Sequence, residues 1–412
     1  MANLGWRIPA DGIGVGRARV RMMEVFISPR LANAGSSFIA VAFVKGSFGS
    51  RSSIAMLTIV VLATTRTMDS ATGYQPCPPS IHISNLEEWS RVLHSRHRPL
   101  LVHLNADTTW LIQLPYPTTV TPPAGRTHFN IVLDPWLQGP QSDVAWWFST
   151  QWHAVPPSVA TVADLNAALR EVEGGPTNGS SENSVSFIDA VIISHEFTDH
   201  CHKATLEELP PDTPVLASDA AADLIRGWGH FTHVLTAQDL KEGEKWTRLC
   251  ADVLPNWVGI GRITSPGNAL YYHSAILVTI LPSPELPDSR AEAIIYSPHG
   301  INCQDLSIVR KSGLETLALL HGMHDVRLWM VKQLNLGALN GIRAVAASGA
   351  KYWVATHDEV KTGGGLITPF LQRTQYTLKE AVAHAESQLA DSEATPSYTF
   401  VELGSGEAIM LN

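Results

Sequence analysis

The run VSFIDAVIIS (185–194) is apolar at almost every position, and the segment that leaves it, SHEFTDHCH (194–202), holds three histidines, an aspartate, a glutamate and a cysteine. A strand without polar alternation is buried on both faces. It needs a covering layer above and below, which restricts the chain to layered α/β architectures. The ionisable residues then sit where such a strand ends.

Runs of the same kind recur from residue 98 onward. PLLVHLNADTTWLIQLP predicts two short strands about a polar turn, and THFNIVLDPWL a strand ending at Asp134-Pro135. TPVLAS (213–218), ALYYHSAILVTIL and AEAIIYSPHG predict three more, and KYWVATHDEV a last strand ending in His357. Apolar spacing predicts helices over SVATVADLNAALREVEG, DAAADLIRGWG, GALNGIRAVAASGA and YTLKEAVAHAESQLA, the last opened by the capping box Thr377…Glu380. KATLEELP predicts a further helix directly after the histidine-rich segment, and GGPTNGSSENS (174–184) a loop. No repeat period is visible.

His195, Asp199 and His200 form the pattern H-x-x-x-D-H. A loop leaving a buried strand can turn all three side chains to one point, and imidazole with carboxylate suits Zn²⁺, Mn²⁺ or Fe²⁺. A loop of solvated polar residues is the plainer alternative, but such clusters directly after an apolar strand are uncommon by chance. His202 is either a further ligand or a cap for the following helix. His273, in YYHSAIL, reads as a hydrogen-bonded core histidine. His321 and His324 have weak spacing, and His103 and Asp107 read as part of a surface turn. Cys201 is either a soft ligand or an inert buried thiol. Gly363-Gly364-Gly365 lacks the Lys-Ser/Thr pair and the helix of a phosphate loop.

SHEFTDHCH resembles the metal loop of the metallo-β-lactamase superfamily, H-x-H-x-D-H. IVLDPW resembles the strand that ends in Asp-Pro there, IIYSPHG the strand that usually reads Tyr-Ser-Gly-Asp-Thr-Gly, and YWVATHDE the late strand carrying the final histidine. The layout is most similar to the L-ascorbate-6-phosphate lactonase-like branch and related uncharacterised fungal proteins, over residues 98–385. The resemblance implies a four-layer αββα sandwich. Phe197 stands at the second histidine position and His299 at that of the bridging aspartate. The third histidine falls near VLPNW, which offers only Asn256 and Trp257. The resemblance therefore implies one divalent metal, zinc first with manganese or iron as alternatives, on Asp199, His200, His299 and His357. His195 joins them or carries a proton, and Asp199 and His195 are the catalytic pair. It also implies a substrate wall of Trp136, Trp146, Trp147 and Trp152, for which core packing is the alternative. Few cations flank these loops, so a greasy or flat substrate is expected rather than a sugar phosphate.

The amino-terminal stretch differs in composition. Residues 1–67 carry eight Lys or Arg against two acids, a net of +6, whereas the whole chain carries −9. The segment reads as a poorly ordered basic extension upstream of a natural start at Met68, with a targeting leader as the alternative. Residues 68–412 form the metallo-β-lactamase-like domain. The apolar runs FIAVAF and IAMLTIVVLA are too short to span a bilayer. Net negative charge argues against nucleic acid as the main partner. The four cysteines are scattered without a CxxC pair, as in a reduced, cytoplasmic protein. The expected function is hydrolysis of an ester, lactone or thioester of a hydrophobic or aromatic small molecule, in secondary metabolism. No membrane partner is expected, and self-association into a homo-oligomer stays open. The alternatives are a non-hydrolytic tailoring enzyme (dehydratase, isomerase or oxygenase) and a degenerate, metal-free binding protein.

Overall fold

The computed structural model describes residues 38–48, 51–61, 81–174, 186–265, 271–283, 290–329, 332–388 and 397–412. The chain separates into two compact units, Met1–Thr72 and Gly73–Asn412. The first contains an antiparallel hairpin of β1 (Phe38–Phe48) and β2 (Arg51–Val61), with Phe38 opposite Val61.

The second unit opens with β3 (Ile81–His82), α1 (Leu86–Leu93), β4 (Leu100–His103), β5 (Trp110–Pro115) and β6 (His128–Leu133). Then come β7 (Gln141–Asp143), β8 (Ser149–Trp152), α2 (Val162–Val172), β9 (Ala190–Ile193), α3 (Lys203–Leu206), β10 (Val215–Ala217), α4 (Asp219–Trp228), β11 (Val234–Thr236) and β12 (Gln238–Asp239). The second half continues with β13 (Val258–Ile263), β14 (Ala275–Ile280), β15 (Glu292–Ser297), α5 (Ser307–Lys311), β16 (Glu315–His321), β17 (His324–Leu328), β18 (Lys332–Asn335), α6 (Ala338–Ser348) and β19 (Tyr352–Val354). It ends with β20 (Thr362–Gly364), β21 (Leu371–Gln375), α7 (Leu378–Gln388), β22 (Thr399–Val401) and β23 (Glu407–Met410).

Two mixed sheets dominate, ordered β11-β10-β9-β6-β5-β4-β23-β3 and β12-β13-β14-β15-β16-β19-β22. Alternate residues of each strand serve different layers. Leu101, Ile112, Ile131 and Ile192 of the first sheet meet Ile260, Ile276, Ile294 and Val354 of the second in one central core. The opposite face of the first sheet, with Leu100, Val102 and Val191, packs under Trp89 of α1, Leu165 and Leu169 of α2 and Ile225 of α4. The opposite face of the second, with Leu277, Ile295 and Leu319, packs under Val309 of α5, Ile342 of α6 and Ala381 of α7. The order is helix, sheet, sheet, helix: the expected αββα sandwich. Packing is close at α6, where a Cβ on Gly341 would lie 2.4 Å from the Trp353 ring, so only glycine fits there.

α7 starts where its capping box predicts. In α7, Thr377 Oγ1 accepts from the Glu380 amide at 3.2 Å and Glu380 returns to the Thr377 amide at 2.7 Å. The strand assigned to 185–194 is confined to Ala190–Ile193. The reading of KYWVATHDEV as the last strand needs correction: β19 stops at Val354, and β20 to β23 follow it. Two smaller three-stranded sheets, β20-β8-β7 and β18-β17-β21, complete the unit.

What matters for the site is direction. β6 and β9 are parallel neighbours, and so are β15, β16 and β19. Their carboxyl ends deliver Asp134, Ser194–His202, His299, His321 and His357. Open α/β sheets place ligands in this position.

Candidate metal centre

The loop leaving β9 turns tightly, because the Phe197 carbonyl accepts the amides of His200 (2.9 Å) and Cys201 (2.7 Å). That turn points Asp199 and His200 inward with His195. Ligand atoms of His195, His200 and His299 lie within 4.8 Å of one another, and so do those of Asp199, His200 and His357. All five expected ligands are buried and share one neighbourhood. His200 Nε2 stands 3.7 Å from Asp199 Oδ1, and His357 Nε2 stands 4.0 Å from Asp199 Oδ2.

The far nitrogen of three of the histidines is held. His200 Nδ1 meets Asp134 Oδ2 at 2.6 Å, His357 Nδ1 meets Asp107 Oδ1 at 3.0 Å, and His299 Nδ1 meets the Asn335 amide oxygen at 2.8 Å. Their inward nitrogens are thereby the basic ones. His200 Nε2, His299 Nε2 and both ring nitrogens of His195 are buried and have no hydrogen-bond partner. One nitrogen of His195 carries its proton; leaving the other, with His200 Nε2 and His299 Nε2, unpaired is costly unless a cation takes these three lone pairs. The donor set of imidazole and carboxylate fits a divalent first-row metal.

Electrostatics agree. Burial, reinforced by neighbouring His200 and His299, holds His195 well below the usual imidazole range, and burial with His357 and His200 does the same for His299. Burial also lowers His357. These rings are neutral and free to ligate. Burial opposes ionisation of Asp199, but Lys361, His200 and His357 outweigh it and hold the carboxyl well below its usual range. His200 goes the other way, since Asp199 and Asp134 overcome burial and raise it.

Asp134 and His357 both occupy the left-handed backbone region, at φ of +46° and +58°. Non-glycine residues held there mark places where surrounding structure pays for position. Asp134 is fixed by the Ser194 amide at 2.7 Å and hydroxyl at 2.5 Å. His357 is fixed by its own amide on the Asp107 carbonyl at 2.8 Å.

Asp107 does not lie on a surface turn: it is fully buried beside His357. In NADTT, Asn105 Oδ1 accepts the amides of Asp107 (3.0 Å) and Thr109 (2.9 Å), and this side-chain turn folds the hairpin tip inward. His103 is buried too, stacked on Trp110 with ring centroids 3.9 Å apart. Lys361, which no motif pointed to, contacts both Asp107 (2.6 Å) and Asp199 (2.7 Å). No alternation in HDEVK marks it, since Asp358 is engaged by the Met323 and His324 amides while His357 and Glu359 on either side of it are buried.

The remaining candidates separate. His202 caps α3 through Thr205, and His273 bonds the Leu334 carbonyl at 3.1 Å. His321 is tied to Asn340 at 2.7 Å, and His324 to Arg373 at 2.9 Å. Cys201 is buried, and burial pushes its thiol up, which makes it inert. Gly363 and Gly364 lie in β20 against β8. Of the four tryptophans, Trp136 is fully buried and stacks on His153, whereas Trp146, Trp147 and Trp152 are exposed. Asp143, at the end of β7, accepts from Thr198 of the metal loop at 3.0 Å, so the small sheet carrying these tryptophans adjoins the site.

Phe197 stacks edge-on to His195 (4.9 Å) and lies 5.7 Å from Tyr272. An aromatic pair thus fills the place of the second histidine. Placing the third histidine position near Asn256 is overturned by register. β13 pairs Ile263 with Ala275, at the site end, and Val258 with Ile280, at the other. Asn256, before Val258, therefore lies at the far end of the sheet, about 20 Å away at ~3.3 Å per residue. The segment before β14, with Tyr272 at 5.4 Å from His299, is what approaches the site.

No protein-family model and no curated protein sequence matches the chain. Solved structures share its outline. One is described as a "possible metal-dependent hydrolase" from Veillonella parvula DSM 2008: 13% identical, TM-score 0.43, covering 76% of this chain and 100% of that one. An isothiocyanate hydrolase from Delia radicum gut bacteria is 15% identical, with a TM-score of 0.41 over 75% of this chain and 98% of its own. The metallo-beta-lactamase fold protein YhfI from Bacillus subtilis is 12% identical, with a TM-score of 0.37 over 76% and 99%. At such values the sandwich rests on the strand order and layering of this chain itself.

Proposed function

We propose that this chain is a metal-dependent hydrolase of the metallo-β-lactamase type, acting on an ester, lactone or thioester of a hydrophobic or aromatic small molecule. The observation that carries the reading is the set of buried, unpartnered imidazole nitrogens on His195, His200 and His299. One divalent ion, zinc first, would be held by Asp199, His200, His299 and His357, with His195 at its edge. Such an ion supplies Lewis acidity, polarising a carbonyl and bringing a water pKa down to about 7. Asp199, kept ionised by Lys361, orients the attacking water and accepts its hydrogen bond. His195, with both ring nitrogens buried and unpaired beside the cluster, is placed to pass the water's proton to the leaving oxygen or sulfur. Exposed Trp146, Trp147 and Trp152 beside the metal loop support an apolar acyl or aryl group. The affinity to the lactonase-like branch rests on the motif strings alone.

The test joins elemental analysis of the purified protein to a panel of aryl and alkyl esters, lactones and thioesters, with chelated and zinc-reloaded samples. About one equivalent of metal and metal-dependent release of acid are expected. A protein that binds no metal, or turnover that survives chelation, contradicts the reading. Metal-dependent products without added water would point instead to a dehydratase, isomerase or oxygenase.

A further inference from the structure

Lys361 is the unusual member of the cluster. Its side chain is 5% exposed, and its ammonium lies 2.6 Å from Asp107 Oδ2, 2.7 Å from Asp199 Oδ2 and 5.3 Å from the centre of the Trp136 ring. Burying a lysine here is worthwhile only because two carboxylate oxygens converge on it from segments far apart in sequence. Two convergent, buried carboxylate oxygens are also what a divalent ion would select. Three carboxylates touch the histidines or the lysine: Asp107, Asp134 and Asp199. With Lys361 and one divalent ion their charge is balanced. A second divalent ion would leave two uncompensated positive charges in a site almost closed to water.

We infer that the Lys361 ammonium takes the place of a second metal ion, so that the centre admits one divalent cation by charge as well as by ligand number. The inference rests on the proposed metal centre and adds the reason for its stoichiometry. Lys361 acts through Asp107 and Asp199: it is a positioning residue, which keeps Asp199 Oδ2 engaged and leaves Oδ1 toward His200.

Zinc stoichiometry measured by equilibrium dialysis and elemental analysis tests this without any substrate. The wild-type chain and Lys361→Arg should each hold one equivalent. Lys361→Ala, which removes the charge and opens space between the two carboxylates, should hold two. Ethylammonium added to Lys361→Ala should compete with the additional ion and bring the count back toward one. If the alanine variant does not fold, Lys361→Gln keeps part of the stem against Trp136 and should gain the same second equivalent. One equivalent on the wild type and no gain in a folded neutral variant overturns this inference and leaves the hydrolase reading standing. Two equivalents on the wild type also overturn it alone. No zinc on the wild type overturns both.

Discussion

At the scale of single residues, position and ligation can be told apart. His200 offers its Nε2 to the site and its Nδ1 to Asp134. Removing a ligand and removing its support should therefore differ in size. His200→Ala and His357→Ala should each abolish tight metal binding. Asp134→Asn keeps the shape and the tolerance of a left-handed backbone, and should weaken binding only about 10–100-fold. His273→Ala should leave affinity unchanged, because that ring bonds the Leu334 carbonyl outside the cluster. Calorimetric zinc titration of the four variants reads this order, and equal losses for His273→Ala and His200→Ala would sink the assignment. His195, Asp199 and His200 were legible from one shared loop, and His299 and His357 from the resemblance of the strand ends that carry them. Asp107 was not, because its partner His357 is 250 residues away and nothing local marks the pair. Lys361 escaped for the same reason, its contact with Asp199 spanning 162 residues.

At the scale of elements, β6 carries a group whose state depends on acid. His128 is 3% exposed at the head of that strand, and its Nε2 has no partner. Burial first, then the nearby His94, His97 and Arg126, lowers its pKa from 6.5 to about 3. The folded protein thus refuses a proton that the unfolded chain accepts between these values. Above pH 6.5 both states are neutral and the group has no effect. As pH falls from 6.5 toward 3 the unfolded state gains, at most about 1.4 kcal/mol per pH unit, for a total on the order of 5 kcal/mol. His128→Gln should flatten the fall in stability between pH 6 and 4, measured by denaturant unfolding at stepped pH. Parallel curves for variant and wild type would show that this histidine is not responsible. Elements with local signals, such as α7 with its capping box, were legible. Strand pairing was not: β20 joins β8 across some two hundred residues, and β23 closes against β4 near the other end of the unit. Register, too, is set by partners rather than by the strand's own residues, which is why the third histidine position was sought near Asn256, beyond the far end of β13.

At the scale of the whole unit, a layered α/β fold was legible because its strands are continuous apolar runs that must be covered on both sides, whereas the αββα order was implied by the resemblance of the strand-end motifs. The purpose of its two halves shows in the site. His195, Asp199 and His200 follow β9 of the first sheet, while His299 and His357 follow β15 and β19 of the second. An ion held by this set would add a further tie between two sheets already joined by apolar packing and by polar contacts such as the His357 amide on the Asp107 carbonyl. Metal that binds only the folded state stabilises it by about 2.7 kcal/mol at a free concentration 100 times Kd. Spread over a unit of this size, that should raise Tm by several degrees. Stripping metal with a chelator should lower Tm and increase hydrogen exchange in 194–202, 297–300 and 355–361, the segments that bring the ligands together. Lys361→Arg should keep the zinc-dependent rise in Tm, and His200→Ala should lose it. The same Tm with and without metal, together with unchanged exchange in segments from both sheets, would mean that the ion does not bridge the two halves.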